Sequence, residues 1–217
     1  MKNSKLPAKA VYRALFKRWG PQHWWPGETP LEVAVGAVLT QNTNWRNVEK
    51  AIANLKKSGA LNVRSLSQMP AKTLAGRIRP AGYFNMKARR LKAFIETVRK
   101  TSGFTMKKME QIETGTLRGI LLNTNGIGPE TADSILLYAF GRPVFVVDAY
   151  TRRMLERHRW TDEGAAYDDI AALFTESCPR DSSLYGEYHA LIVKLGKEHC
   201  RKRALCEGCP LEQWLPS

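Results

Sequence analysis

A glycine hairpin between two apolar segments, with an aspartate shortly after it, is the feature that most constrains what this chain can become. The turn consists of Gly126, Ile127 and Gly128, with Pro129 and Glu130 next in the chain, and this order is typical of a helix start. The following segment repeats small and apolar residues at i, i+3, i+4 and i+7 spacing: Ala132, Ile135, Leu136 and Ala139. The stretch predicts a helix, a hairpin and a second helix ending at Gly141.

A hairpin of this kind can bind phosphate. Two glycines let the backbone approach a ligand closely, and the free amide groups at a helix start attract an anion. An isolated pair of glycines is explained equally well by a plain turn between two helices. Here, however, a short run rich in β-branched residues at 144–147 follows and ends in Asp148, which opens another predicted helix. This order is more specific than the hairpin alone.

Composition narrows the classes of function. Lys and Arg number 34 against 20 Asp and Glu, for a formal net charge of +14 over 217 residues. The basic residues are spread along the chain, which indicates a polyanionic partner, although a soluble basic protein would look the same. No apolar run approaches the roughly 20 residues of a membrane span, and the N-terminal segment lacks an apolar signal core. We therefore expect a cytoplasmic protein with no membrane partner.

Helical patterns dominate the chain from end to end. Capping residues and prolines predict helix starts at Pro7, Thr29, Asn44, Pro70 and Asn85. Strand pairing is suggested nowhere, except by the few residues before Asp148. The sequence therefore predicts an all-α fold.

The helix after Asn85 is predicted to bury Leu91 and its neighbours on one face. Its other face is predicted to carry cations: Lys87, Arg89, Arg90 and Lys92. Such a face either is simply solvated or contacts backbone phosphates.

The hairpin, the loop after it and Asp148 together resemble the helix-hairpin-helix (HhH-GPD) superfamily of DNA glycosylases, the endonuclease III relatives. The resemblance runs from about residue 11 to about residue 211. It implies an all-α fold of two lobes with the DNA cleft between them. One lobe, 22–142, would be a helical barrel with the helix-hairpin-helix at about 115–140, and the other would combine 1–21 with 143–217. It also implies a monomer that acts on double-stranded DNA containing damaged bases.

The resemblance makes Asp148 the catalytic residue. Cleavage of an N-glycosidic bond builds positive charge on the sugar, and a fixed carboxylate stabilises that charge and helps water to attack. An aspartate before a helix is otherwise usually an N-cap. Relatives that also cut the strand carry a lysine at the position of Glu130, where it forms a Schiff base. A carboxylate cannot do so, although it can complement the helix dipole, and we expect no strand cleavage.

Aromatic residues narrow the predicted substrate. Trp24, Trp25 and Pro26 lie in a proline-rich loop, and Trp45 begins a helix. Core anchoring would explain them, but they also suit a pocket in which an extruded base is stacked. Aromatic faces attract a base made cationic by alkylation. With the missing lysine, these residues resemble the bacterial 3-methyladenine DNA glycosylase branch.

Further DNA contacts follow from the same resemblance. Gln41 matches the side chain that fills the gap left by the flipped base, although a glutamine at a helix end is commonly just solvated. The loop around Gly82 and Asn85, with Lys87 after it, matches a segment that contacts the DNA backbone. The hairpin residues 126–128 would bind a phosphate through their amides.

The C-terminal cysteines resemble an incomplete iron–sulfur site. Cys200, Cys206 and Cys209 follow the pattern C-x5-C-x2-C, whereas relatives with a [4Fe–4S] cluster use four cysteines as ligands. The fourth position is Leu215, so three of the four family cysteines are present. Two alternatives stay open: three thiolates hold an incomplete or labile [4Fe–4S] cluster, or the loop persists as a packed remnant. We favour the absence of a complete cluster and expect that catalysis requires no cofactor.

Taken together, the residues and the resemblance predict a monofunctional DNA glycosylase of base-excision repair that removes alkylated purines such as 3-methyladenine. Two alternatives stay open. One is an endonuclease III-like glycosylase for oxidised or mismatched pyrimidines. The other is a helix-hairpin-helix DNA-binding protein that has lost the chemistry.

Overall fold

The computed structural model describes residues 4–216, and within this range the chain is helical and contains no β-strand. The predicted all-α fold is confirmed. None of the described helices is long and apolar enough to cross a membrane. The α-helices are α1 Ala8–Trp19, α2 Pro30–Leu39, α3 Trp45–Lys57, α4 Val63–Gln68, α5 Ala71–Arg77, α6 Phe84–Ser102, α7 Thr114–Leu122, α8 Pro129–Ser134, α9 Ala149–Arg157, α10 Tyr167–Thr175 and α11 Ser182–Glu198. Short 3-10 turns occur at Arg79–Ala81, Met109–Gln111 and Glu212–Trp214.

The chain divides into two compact units. The central unit is Trp25–Arg142, and the terminal unit combines Met1–Trp24 with Pro143–Ser217. The central unit therefore contains α2 to α8, and the terminal unit contains α1 and α9 to α11.

Helix α2 is the core of the central unit. Every residue from Leu31 to Leu39 is buried, as expected of a helix that other helices surround. Its start is fixed by the predicted cap, because Thr29 Oγ1 accepts from the amide of Glu32 at 3.2 Å. The Glu32 carboxylate reaches back to the amide of Glu28 at 3.3 Å. Gln41 lies two residues beyond the end of this buried helix, after Thr40.

Helices α3 and α6 cover α2, and α6 does so with the face that the sequence predicts. The inward residues are Val48, Ala51, Ile52 and Leu55 in α3 and Leu91, Phe94, Ile95 and Val98 in α6. Asn44 caps α3 as predicted and accepts from the amide of Asn47 at 3.1 Å. The predicted cap of α6 is wrong, because α6 begins at Phe84 and Asn85 already lies in its first turn without a capping bond.

The hairpin joins α7 to α8, and a buried ion pair ties the two helices together. Arg118 donates from Nε and Nη2 to the two carboxylate oxygens of Asp133, at 2.7 and 3.1 Å. The side chain of Asp133 is only 3 % exposed, so removing one partner would leave a costly buried charge. The second helix is not uniform as predicted: α8 ends at Ser134 and continues as a π-helical segment, Ile135–Ala139.

The terminal unit is built on α11, against which α1 and α9 pack. Its core is aromatic. Phe145 stacks on Phe174 with ring centroids 3.9 Å apart, and the buried Tyr188 donates its hydroxyl to the Ala8 carbonyl at 2.9 Å. The extended residues before Asp148 lie in this core rather than in a sheet, since Phe145, Val146 and Val147 are 1, 1 and 2 % exposed.

A buried histidine should make stability pH-dependent. His158, at the end of α9, is 7 % exposed, its Nδ1 has no hydrogen-bond partner among the described residues, and burial lowers its pKa from 6.5 to about 4. The unfolded chain therefore binds more protons between these values. The free energy of unfolding is therefore not reduced by this histidine above pH 6.5. It decreases on acidification below that value, by at most about 3 kcal/mol.

Denaturant unfolding of wild type and His158→Phe from pH 4.5 to 7.5 measures this effect. We expect the free energy of unfolding of the variant to depend less on pH. The difference between the two proteins at pH 7.5 measures any change in packing against Trp160. Parallel pH profiles for the two proteins would contradict the assignment.

Candidate functional site

Asp148 combines a structural role with a chemically available oxygen. It is the N-cap of α9, where its Oδ1 accepts from the amide and the hydroxyl of Thr151 at 2.7 and 2.9 Å. Its Oδ2 takes no part in this cap and lies 3.5 Å from Nε2 of His189. The two oxygens therefore have different environments, and the capping and chemical interpretations of this residue are compatible.

The carboxyl group of Asp148 is largely buried, with 12 % of the side chain exposed. Burial by itself raises the pKa of Asp148, but the hydrogen bond and charge of His189, followed by the bonds from Thr151, outweigh it and hold the pKa below its ordinary value. The group is therefore a carboxylate at neutral pH. A fixed negative charge of this kind is suited to stabilising a developing cation.

His189 is the site residue that sequence reasoning missed. It lies in the middle of α11, among apolar residues, and is 5 % exposed. A histidine in such a place is ordinarily part of the core, and nothing in the spacing of the chain predicts that it meets Asp148, 41 positions earlier. Only the packing of α9 on α11 brings the two together.

The hairpin amides are only partly available for a phosphate. The amide of Ile127 already donates to the Thr124 carbonyl at 3.0 Å, so phosphate binding by this amide stays a prediction that would require the bond to break. Within the described chain the amides of Gly126 and Gly128 donate to no acceptor. Gly126 adopts a φ of +83°, which explains why glycine is needed there.

Gln41 is bonded to the hairpin. Its Nε2 donates to Thr131 Oγ1 at 2.8 Å and to the Gly126 carbonyl at 3.3 Å. Its Oε1 accepts from Arg90 Nη1, and the Arg90 side chain lies against Gly126. The structure thus brings three of the predicted DNA contacts together, since Arg90 comes from the predicted basic face. Insertion of Gln41 into a duplex stays a prediction, and it would require these bonds to break.

The predicted basic face of α6 is wrong at two of its four positions. Lys87 is fully buried and donates to the carbonyls of Leu39 and Ala81 at 2.9 and 2.7 Å. Burial, with a smaller effect of Arg90, lowers its pKa to about 8. Lys92 donates to carbonyls at the end of α4. Both lysines connect helices inside the protein, so neither is available to a phosphate.

The loop before α6 carries an exposed aromatic residue that the sequence did not single out. Tyr83 is 66 % exposed and has φ +45° and ψ +32°, a conformation that costs a non-glycine residue free energy. Its neighbour Gly82 has φ +68°, and Asn85 is exposed in the first turn of α6. DNA contacts by Gly82 and Asn85 stay a prediction.

Two of the predicted pocket tryptophans form an aromatic cluster with a tyrosine. Trp25 and Trp45 meet edge to face with centroids 5.0 Å apart, and Tyr138 stacks on Trp25 at 4.7 Å. Tyr138 comes from the π-helical segment and was not predicted. Gly36 of α2 makes room for the cluster, because a Cβ there would lie 3.2 Å from the Trp45 ring. We call these three side chains the aromatic cluster.

Trp24 and Pro26 are placed differently. Trp24 belongs to the terminal unit, where the ammonium group of Lys197 lies 5.4 Å from the centre of its ring. Pro26 is exposed. Glu130 is also exposed, in the first turn of α8, where a carboxylate complements the helix dipole.

Arginines of α9 organise the cysteine loop. Arg157 donates to Cys200 Sγ at 3.3 Å and to the carbonyl of Arg201 at 2.6 Å, and Arg153 donates to the carbonyl of Cys200 at 2.6 Å. Cys206 and Cys209 form a turn in the same loop, with the Cys209 amide donating to the Cys206 carbonyl at 3.0 Å. All three thiols are partly buried.

These residues do not fit a four-thiolate cluster. Leu215 occupies the fourth family position, and Cys178 is buried elsewhere as a free thiol. Among residues 4–216 no group of three His, Cys, Asp or Glu side chains is arranged to hold a metal ion. No step of the reaction that we assign to Asp148 depends on a cluster.

Comparison with known proteins decides the family. The model of the HhH-GPD superfamily of base excision DNA repair proteins matches residues 35–180. The chain belongs to this superfamily. A protein of Methanocaldococcus jannaschii named as a candidate DNA repair glycosylase is 48 % identical over 206 residues, 94 % of this chain and 93 % of that protein. Endonuclease III of Thermotoga maritima is 28 % identical over 203 residues, 92 % and 88 % of the two chains.

A solved structure gives the same assignment. The 3-methyladenine DNA glycosylase of Helicobacter pylori, bound to 1,N6-ethenoadenine, superimposes with a TM-score of 0.78 at 29 % identity, covering 92 % of this chain and all of that one. The protein is therefore a DNA glycosylase of the HhH-GPD superfamily. In this HhH-GPD protein the family match includes Gln41, the hairpin and Asp148.

The hairpin of this HhH-GPD glycosylase offers a matched pair of substitutions. In Gly126→Ala the new methyl group would overlap Arg90 at a positive φ, and we expect a loss of about 1–3 kcal/mol in the free energy of unfolding. In Gly128→Ala the methyl group meets nothing within 4 Å and φ is −92°, so the loss should stay below about 1 kcal/mol. Denaturant unfolding of both variants checks this. Equal losses would contradict the packing of Arg90 on Gly126.

Proposed function

We propose that the protein is a monofunctional DNA glycosylase that hydrolyses the N-glycosidic bond of alkylated purines, such as 3-methyladenine, and leaves an abasic site. The observation that carries the choice of substrate is the aromatic cluster of Trp25, Trp45 and Tyr138. The 29 % identity to the 3-methyladenine DNA glycosylase of Helicobacter pylori supports it.

In this reaction the bond between C1′ and the purine nitrogen breaks, and its electron pair leaves with the base. A purine that alkylation has made cationic departs as a neutral molecule, so the enzyme need not protonate it. The sugar is left with positive charge, which the ionised Asp148 stabilises. Water adds to C1′, and Asp148 Oδ2 accepts its proton. Oδ1 stays bonded to Thr151 and holds the group in place.

The absence of strand cleavage rests on Glu130. A lyase needs an amine that attacks C1′ and forms an imine, and the family position for that amine is occupied by a carboxylate. Among the lysines that the structure describes, Lys87 is the one whose pKa is lowered to about 8, and it is fully buried between two carbonyls. It is therefore no substitute for the missing nucleophile.

The choice of an alkylated base follows from the chemistry of aromatic rings. Indole and phenol faces carry negative potential and bind a cation without any need for hydrogen bonds to base edges. The Trp45 Nε1 group is buried with no partner in the described chain, so an acceptor atom of a bound base would also be stabilised there. Trp24 supports the choice less well, because Lys197 already lies over its ring.

A second candidate is a neutral base, as in an endonuclease III-like glycosylase for damaged pyrimidines. The observation that favours it is the 28 % identity to endonuclease III of Thermotoga maritima across 92 % of this chain. Neutral bases are poorer leaving groups and need hydrogen bonds to their edges. The two candidates therefore differ in how much they depend on the aromatic cluster.

Base release from defined duplexes tests the proposal. With DNA containing 3-methyladenine or 7-methylguanine, we expect wild type to give strand breaks only after alkali, and Asp148→Asn to lose at least about a hundredfold in single-turnover rate, as for removal of a major electrostatic group. Breaks without alkali would overturn the assignment of Glu130. Failure to release any alkylated base, with release of thymine glycol or mismatched thymine, would favour the second candidate.

Substitution in the aromatic cluster tests the substrate class separately. Trp25→Leu removes the ring that contacts both Trp45 and Tyr138, and we expect it to lower kcat/KM for alkylated purines by about tenfold or more, since base stacking is worth roughly 1–3 kcal/mol. Trp25→Phe keeps an aromatic face and should retain most of the activity. Thermal melting of both variants controls for folding, and unchanged excision by a folded Trp25→Leu protein would exclude the cluster as the base-binding surface.

A further inference from the structure

The mechanism above uses Asp148 and leaves one buried titratable group beside it without a role. His189 projects from α11, its side chain is 6 % exposed, and its Nε2 lies 3.5 Å from Asp148 Oδ2. The other buried histidine of the described chain, His158, has no such partner, and burial alone shifts its pKa. The same type of residue is thus placed twice in the terminal unit, once next to a carboxylate and once against Trp160.

His189 contacts Oδ2 of Asp148, the oxygen to which the proposed function assigns the reaction. Thr151 saturates Oδ1 with two hydrogen bonds, which leaves Oδ2 as the oxygen able to face a sugar cation or water. An N–H at Nε2 that donates to Oδ2 when the substrate is bound would restrict rotation of the carboxylate about its Cβ–Cγ bond. A separation of 3.5 Å is long for a hydrogen bond, but bonds at catalytic groups are often long before the substrate is bound and shorten in the complex.

We propose that His189 is a positioning residue for base excision, which pairs with Asp148 across 3.5 Å and holds its Oδ2 in the orientation that faces the substrate. The inference rests on the role given to Asp148 in the proposed function. In the inferred site this carboxylate does not act alone. Asp148, at the start of α9, and His189 of α11 act as a pair, which we call the dyad. A buried carboxylate without such a partner would tend to take up a proton.

Two polar side chains of the neighbouring helices have partners of their own. On α9, Arg152 donates to the carbonyl of Ala165 at 2.7 Å. From α10, the Tyr167 hydroxyl accepts from the amide of Val147 at 3.1 Å. Thr151 does not titrate. The contact of His189 with Asp148 thus comes from outside α9, and it favours the ionised form by lowering the pKa of Asp148.

A first experiment measures the dyad itself, without any DNA. The 13C shift of the Asp148 carboxyl carbon is followed by NMR against pH in wild type, His189→Gln and His189→Leu, with His158→Gln as the matched control for loss of a buried histidine. We expect the pKa of Asp148 to rise by about one pH unit or more in His189→Leu. It should rise less in His189→Gln, which keeps an N–H donor, and stay unchanged in His158→Gln.

A second experiment measures excision from 3-methyladenine duplexes at single turnover over the same pH range. We expect His189→Leu to lose about tenfold or more in rate at neutral pH and its acid limb to move to higher pH. Affinity for the duplex should stay within about twofold of wild type. His189→Gln should recover much of the rate, whereas a residue with a packing role only would change the melting temperature and leave the pH profile in place.

The two readouts separate the inference from the proposed function. An unchanged Asp148 titration in a folded His189→Leu protein would overturn the role of His189, whatever the substrate proves to be. A shifted titration in a protein that releases no alkylated purine would uphold the dyad and reject the proposed substrate. If His189→Leu fails to fold, His189→Gln decides, because loss of the imidazole alone must still raise the pKa of Asp148.

Discussion

The double hydrogen bond from Thr151 to one oxygen of Asp148 is the interaction on which the terminal part of the site depends. It starts α9, fixes the carboxylate and assigns different tasks to its two oxygens. A carboxylate that is 12 % exposed would be expensive to keep charged without such bonds. The cap that begins a helix therefore also holds the charged group to which we assign the chemistry, and the three residues directly before it, 145–147, are buried in the core.

In the central unit, cationic side chains stabilise the structure by bonding to groups inside the protein. Lys87 joins the end of α2 to the turn before α6, Lys92 holds the end of α4, and Arg118 pairs with Asp133 inside the hairpin. These groups count toward the net charge of +14, yet each is bonded to carbonyls or to a carboxylate of the protein, and Lys87 is fully buried. The charge of this chain is thus partly structural, and the surface presented to DNA is less basic than the composition suggests.

Local signals in the sequence predicted what local forces decide. Thr29 and Asn44 cap helices because their side chains bond to amides three residues away, and Asp148 was recognisable for the same reason. Lys87 was wrongly assigned to the basic face of α6. Its spacing indicates the apolar face, because it lies four residues before Leu91. The meeting of His189 with Asp148 could not be predicted, because it depends on how two helices far apart in the chain pack. The error at Lys87 was therefore one of interpretation. In contrast, no local pattern in the sequence predicts the contact between His189 and Asp148.

The π-helical segment also matters for the aromatic cluster. A π-helical turn holds about one residue more than an α-helical turn, so side chains beyond it are rotated by about 100° from where an unbroken helix would place them. Tyr138 lies in this segment and covers one face of Trp25. Deleting a single residue there would restore a regular helix and turn the tyrosine away, with the rest of the hairpin preserved. The contact between Tyr138 and Trp25 therefore depends on the length of this segment as well as on the identity of the two residues.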